Sequence, residues 1–179
     1  MDRGAISAAG IVFFGAFLGV VLKFAGAPPN FEMLMPFVLS VAFAYGPMGG
    51  FVGGLAIRAL YDVNLLWIGP WTVYTSIAYG VVGFLAGLYG LFMPKPFRKS
   101  VELVVIAITL TVVYDVITMV AFAASFGLLG YMQYVALAQV PFTLMHLLSN
   151  CLFSVMLTPA LMEFINKQKM QSPVVSKGI

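Results

Sequence analysis

The sequence predicts an all-α integral membrane protein, a six-helix transmembrane bundle with both termini in the cytoplasm. Three observations carry that expectation. Of 179 residues, 62% are apolar and only 8% are charged, whereas a soluble domain carries about a quarter of its residues as Asp, Glu, Lys or Arg. The apolar residues fall into runs of helix length separated by Gly/Pro punctuation. The basic residues then sort by loop parity onto one side.

The mean hydropathy of +1.04 excludes a disordered chain, which needs low hydrophobicity and high charge. A span takes about 20 apolar residues, so this length is consumed by the spans and their loops. No room remains for a soluble catalytic or nucleotide-binding domain. Cys151 stands alone and reads as a small apolar residue packed in a helix.

The first helix is expected from about Gly4 to Ala25, ended by Ala27-Pro28-Pro29-Asn30. Arg3 and Ala25-Gly26-Ala27 have the look of a secretory signal, but the apolar stretch is long for one and Pro28 obstructs cleavage. A mature helix is the expectation. The second, Phe31 to Tyr45, reaches only ~22 Å at ~1.5 Å per residue, against a hydrocarbon core of about 30 Å. It is therefore a short or irregular span. Gly46-Pro47-Met48-Gly49-Gly50 makes a tight turn into the third helix, which ends near Trp67 before Ile68-Gly69-Pro70. The fourth runs from Trp71 to about Met93, and Pro94 to Lys99 is the strongly polar connection. The fifth runs from about Val101 to Phe126, and Gly127 to Gly130 ends it. Tyr131 to Val140 reads as an interfacial segment, with Pro141 in the tolerated first turn of a sixth helix reaching Ile165. Residues 1–166 thus form the membrane domain, and 167–179 a polar, frayed cytoplasmic tail.

With six helices, Arg3, Lys95, Arg98, Lys99, Lys167, Lys169 and Lys177 collect on one side and Lys23 alone on the other. By the positive-inside rule the first side is the cytoplasm. Lys23 snorkels to the outer interface.

Ionisable groups within spans mark a cavity or a pathway. Rising from about Gly49, the third helix puts Arg58 near mid-membrane and Asp62 about 20 Å up; the fifth puts Asp115 about 21 Å up; the sixth, descending from Pro141, puts His146 about 7.5 Å and Asn150 about 13 Å below the outer face. Asp62, Asp115 and His146 converge on one level in the outer half. At about 100° per residue, Gln139, Thr143, His146, Asn150 and Ser154 share one face. So do Thr111, Asp115, Thr118 and Ser125, and Thr72, Ser76, Tyr79, Gly83 and Gly87. These faces describe an outward-open pocket, with Trp67, Trp71, Tyr74 and Tyr114 near its rim to stack on a flat ligand or to anchor at the interface. Simpler structural readings stand beside this one. Arg58 and Asp62, at i and i+4, can pair with each other, His146 with Asp115 can be a structural pair, and Ser and Thr in membrane helices often bond to backbone.

The order Pro28-Pro29-Asn30-Phe31-Glu32 with Pro36, then Gly46-Pro47, Gly49-Gly50, Gly53-Gly54 and Asp62, resembles the substrate-binding S components of energy-coupling factor (ECF) transporters. The resemblance covers about residues 1 to 165, including a last helix reading Asn150 through Pro159. It implies capture of a vitamin, vitamin precursor or metal ion from outside by the loop after helix one, the outer loops and helices four to six. It also implies a transmembrane coupling subunit and two cytoplasmic ATPases as partners, in the cell membrane of a prokaryote, with no cofactor on this chain and ATP only on the partners. Small residues of helix one, here Ala5 and Ala9, would meet the coupling subunit. Signatures expected of thiamine, biotin or nickel/cobalt binders are not matched, and no metal is expected. Glu32, Arg58, Asp62, Trp71, Tyr79, Asp115, His146 and Asn150 are the expected ligand-binding residues. The excess of carboxylates favours a ligand with amine or heterocyclic nitrogen donors.

Two other classes remain open from sequence. An intramembrane enzyme would use Asp115 and His146 as an acid/base pair, but no GxSxG, HExxH or second His completes a site. A structural assembly protein would use the small residues of helix one.

Overall fold

The computed structural model describes residues 3–92 and 100–170. Among them, regular structure is helical: α1 (Arg3–Phe24), α2 (Met35–Asn64), α3 (Pro70–Phe92), α4 (Ser100–Ser125), a 3-10 turn (Leu129–Tyr131) and α5 (Met132–Met170). Among the described residues, five helices are long and apolar enough to cross a membrane.

Among the described residues, large apolar side chains cover the outside, while a set of polar groups lies buried within an otherwise apolar core. Phe13, Phe17, Val105, Leu137 and Leu148 are more than half exposed, while Asp62, Thr111, Asp115, His146 and Asn150 are buried. Water would reverse that arrangement; lipid favours it, because a polar group in hydrocarbon needs an internal partner.

Where the sequence predicts separate second and third helices, the two run into one another through a reversal at Gly46. Its φ of 73° and ψ of −170° are non-helical, a region open to glycine because it lacks Cβ. The chain folds back there, so that a methyl at Gly53 would lie 3.0 Å from Val41. α2 is thus two arms, 35–45 and 47–64. The first arm is buried from Met35 to Ala42, and at ~1.5 Å per residue it is about 16 Å long. Residues 31–34, predicted helical, are not.

The second arm crosses α3 at backbone contact. A methyl added at Gly83 would strike the Gly50 carbonyl, and one at Gly54 the Tyr79 carbonyl. This is the use of small residues that membrane helix packing makes. Gly15 and Gly19 of α1 likewise face inward, against Phe37 and Leu34. Around these crossings, α1 packs on α2 and α5, α3 on α4, and α4 on α5.

The last helix departs most from expectation. Tyr131 to Val140 is not a separate interfacial segment: α5 begins at Met132 and continues through Pro141 and Pro159. Each proline removes one i→i−4 bond, which membrane helices tolerate where neighbours re-satisfy the freed carbonyl. α5 also extends to Met170, so the start of the expected frayed tail is helical; residues 171–179 and the polar connection at 93–99 lie outside the described residues.

Candidate functional site

Glu32 reaches the interior because the connection after α1 turns sharply. Phe31 N–H donates to the Pro28 carbonyl at 3.2 Å, and Asn30 adopts φ 62°, a left-handed conformation that Asn tolerates. The Glu32 backbone N–H then donates to Ser149 Oγ on α5 at 3.2 Å.

Helical spacing brings the other groups to the same place. Arg58 and Asp62 share a face of the second arm, Thr72, Thr75 and Tyr79 a face of α3, and Thr111, Asp115 and Thr118 a face of α4. Arg58 Nη1 donates to both carboxylate oxygens of Glu32, at 2.9 and 3.1 Å, and Nη2 lies 3.2 Å from Asp62 Oδ1. Its Nε donates to Thr75 Oγ1 at 3.3 Å, and its guanidinium stands 5.1 Å from the centre of the Tyr61 ring. Thr72 donates to Asp62 Oδ2 at 2.8 Å. Tyr79 donates to Glu32 Oε2 at 3.4 Å.

A second cluster joins α4 to α5. His146 Nδ1 and Asp115 Oδ1 are 2.7 Å apart, and Asn150 Nδ2 donates to Thr111 Oγ1 at 2.9 Å. Tyr114 connects the clusters, with ring centres 4.6 Å from Tyr79 and 5.5 Å from His146. Asp115 Oδ2 and Asn150 Oδ1 are buried with no hydrogen-bond partner among the described residues, which leaves two acceptors in a region where buried polar atoms are nearly always bonded.

Above these groups lies a cavity of about 630 Å³. Of the residues expected to bind ligand, Glu32, Arg58, Trp71 and His146 line it. Asp62, Tyr79 and Asp115 stand behind that wall against Arg58, Glu32 and His146, and Asn150 is bonded to Thr111 rather than to a lining residue. Tyr74 and Tyr114 also line the cavity, whereas Trp67 does not; it accepts, through its carbonyl, the Trp71 indole N–H at 3.0 Å. A smaller cavity of about 210 Å³ opens between α4 and α5 beside Asp115, Gln139 and Thr143.

Sequence reasoning missed the wall formed by Phe122, Tyr131, Tyr134 and Phe142. Its signal was present. If the helix begins before Pro141, then Tyr134, Ala138, Phe142 and His146 repeat at i+4 on one face. The cavity therefore has aromatic sides and a hydrogen-bonding floor, a form suited to a flat heterocycle. Ala9, expected at a partner surface, is exposed on α1; the side chain of Ala5 lies outside the described residues.

A family model described as "ECF-type riboflavin transporter, S component" matches residues 3–175. Two proteins from strains of Lactobacillus delbrueckii subsp. bulgaricus, each named as a UPF0397 protein, are 30% identical to this chain over 116 residues, or 62% of this chain and 58% of theirs. The chain thus spans somewhat over half the length of these curated relatives. No solved structure matches it.

Proposed function

This chain belongs to the family of ECF-type riboflavin transporter S components, a transporter's substrate-binding part and not an enzyme, and from that premise we propose that it captures a flat, vitamin-sized heteroaromatic compound from outside the cell. The cavity of about 630 Å³ carries this reading: aromatic rings from α3, α4 and the start of α5 make its sides, and Glu32, Arg58 and His146 its floor. Riboflavin is the first compound to test, because the family's description names it.

Six crossings support an outward-facing mouth. The two arms of α2 count as the second and third, the short first arm being buried in protein, where a sub-length segment is tolerated. The basic residues at the ends and at 95–99 then lie in the cytoplasm of a prokaryote. In this reading a coupling subunit and two ATPases complete the transporter, and ATP is hydrolysed on those partners.

The exposed face of α1 near Ala9 meets the coupling subunit. Replacing Ala5 and Ala9 by Leu is expected to abolish co-purification of an ATPase-bearing assembly while leaving saturable binding of a vitamin-panel member unchanged. Equilibrium dialysis beside affinity purification reads both. Lost binding with the assembly intact would contradict the placement of the partner surface, and absence of binding by the unaltered chain across the panel would contradict capture itself.

A further inference from the structure

The smaller cavity lies between two helices that each bring two stripes to it. On α4, Val112 and Val116 form an outer stripe and Asp115 and Met119 an inner one; on α5, Ala136, Val140 and Leu144 lie outside and Gln139 and Thr143 inside. Each stripe repeats at i+4. The outer residues are exposed, and the inner ones are buried or half-buried. The outside of the bundle is its lipid side, so this space of about 210 Å³ is reached from hydrocarbon. Pro141 falls in the middle of the α5 stretch that lines it and removes one helical bond there, which leaves the outer wall easier to part. Met119 and Gln139 line the large cavity as well. These two long, unbranched side chains are the partition between the spaces, and methionine repacks at little cost.

We propose that this crevice is a second binding site, which takes from the lipid a neutral one- or two-ring aromatic molecule carrying one N–H or O–H donor. Size, polarity and access each narrow the occupant. A cavity of about 150 Å³ holds benzene, so the crevice admits a single ring or a small fused pair. Its inner wall offers acceptors: Asp115 is 4% exposed with Oδ2 unbonded among the described residues, and Gln139 and Thr143 each carry an acceptor oxygen. A buried acceptor without a partner is costly to keep, and a donor on the guest relieves that cost. The guest is neutral because a charged group crosses hydrocarbon only at great expense. A guest that presses Met119 and Gln139 toward the large cavity takes room from a ligand there, so the two sites oppose each other, and by linkage the opposition is mutual.

The test is photolabelling of the full chain in mild detergent with a phenol that bears a diazirine, mapped by peptide mass spectrometry. Label is expected within 112–119 and 136–144, and excess indole should suppress it. Naphthalene, similar in size to indole but without a donor, should suppress it about tenfold less well, the scale of one buried hydrogen bond. Ala136 lines the small cavity and not the large one, so Ala136→Trp fills the crevice from the lipid side and should abolish the saturable label; Val116→Trp serves the same end if that variant fails to accumulate. In parallel, saturating indole should weaken riboflavin binding by about fivefold or more and then reach a plateau. Label that indole does not suppress, or that persists in the filled variant, marks lipid-phase labelling only and overturns the site. Equal suppression by naphthalene overturns the role of the donor. Weakening of riboflavin without a plateau places indole in the large cavity and overturns a separate site. Failure of riboflavin itself to bind counts against the capture reading, and the labelling then decides this site alone.

Discussion

Arg58→Ala is expected to be the most damaging single substitution in the chain. The guanidinium is the common partner of Glu32 and Asp62, bonded to the first at 2.9 and 3.1 Å and to the second at 3.2 Å. Removing it leaves two buried carboxylates facing each other, and breaking a buried ion pair from one side costs about 3–5 kcal/mol. The loss also unties the connection after α1 from the second arm of α2, since Glu32 is the group that reaches across. The combination Glu32→Gln, Arg58→Met, Asp62→Asn should recover much of the stability, because replacing a buried charged set with neutral groups of similar volume is often close to neutral. It should not recover binding. Thermal unfolding in detergent checks both statements; a midpoint for Arg58→Ala within about 2 °C of the unaltered protein, where a kilocalorie is worth several degrees, would contradict the buried network.

His146→Phe is expected to lower ligand affinity by about 10- to 100-fold, the effect of one to two well-made buried hydrogen bonds. Phenylalanine keeps the ring that packs 5.5 Å from Tyr114, so the cavity retains its shape. What disappears is the hydrogen-bonding edge and the partner of Asp115 Oδ1. Pairing the variant with Asp115→Asn separates those two losses. Asparagine can still accept from His146 Nδ1, so Asp115→Asn alone should cost less affinity than His146→Phe. Isothermal titration of both variants is the check, and equal affinities for His146→Phe and the unaltered protein would remove His146 from the site.

The class of fold was readable because it depends on composition. Few charges among long apolar runs admit lipid as the solvent and little else. The helix breaks were readable wherever glycine and proline act together, as at Gly46-Pro47 and Ile68-Gly69-Pro70. Pro141 misled for the same reason. A proline is a strong stop in water, but α5 runs through it from Met132 to Met170, and sequence alone does not reveal that neighbouring helices compensate the lost bond. The aromatic wall at Tyr131, Tyr134 and Phe142 was lost with that helix boundary.

Which polar residues gather in the interior was more legible than how they pair. Arg58 and Asp62 are visible as an i, i+4 pair, and they do meet. Glu32, 26 positions from Arg58, makes the closer, two-pronged contact. That contact exists because α2 folds back at Gly46 and the Pro28-Pro29-Asn30 turn points Glu32 inward. No local pattern encodes the distance between those two events. Asp115 and His146 do meet, at 2.7 Å, although the depth expected for His146 is counted from Pro141, through which α5 runs.

The central claim is that a small heteroaromatic molecule occupies the cavity between the charged floor and the aromatic wall. Native mass spectrometry of the gently purified chain, after exposure to the vitamin panel, tests it most directly when the unaltered protein is measured beside Ala138→Trp. Ala138 lines the cavity and is exposed on α5, so tryptophan there fills the space without disturbing the buried core. The account predicts a bound small-molecule mass on the unaltered protein and none on Ala138→Trp, with both folded. Equal ligand occupancy in the two proteins, or a bare mass for the unaltered protein with every compound, would contradict it.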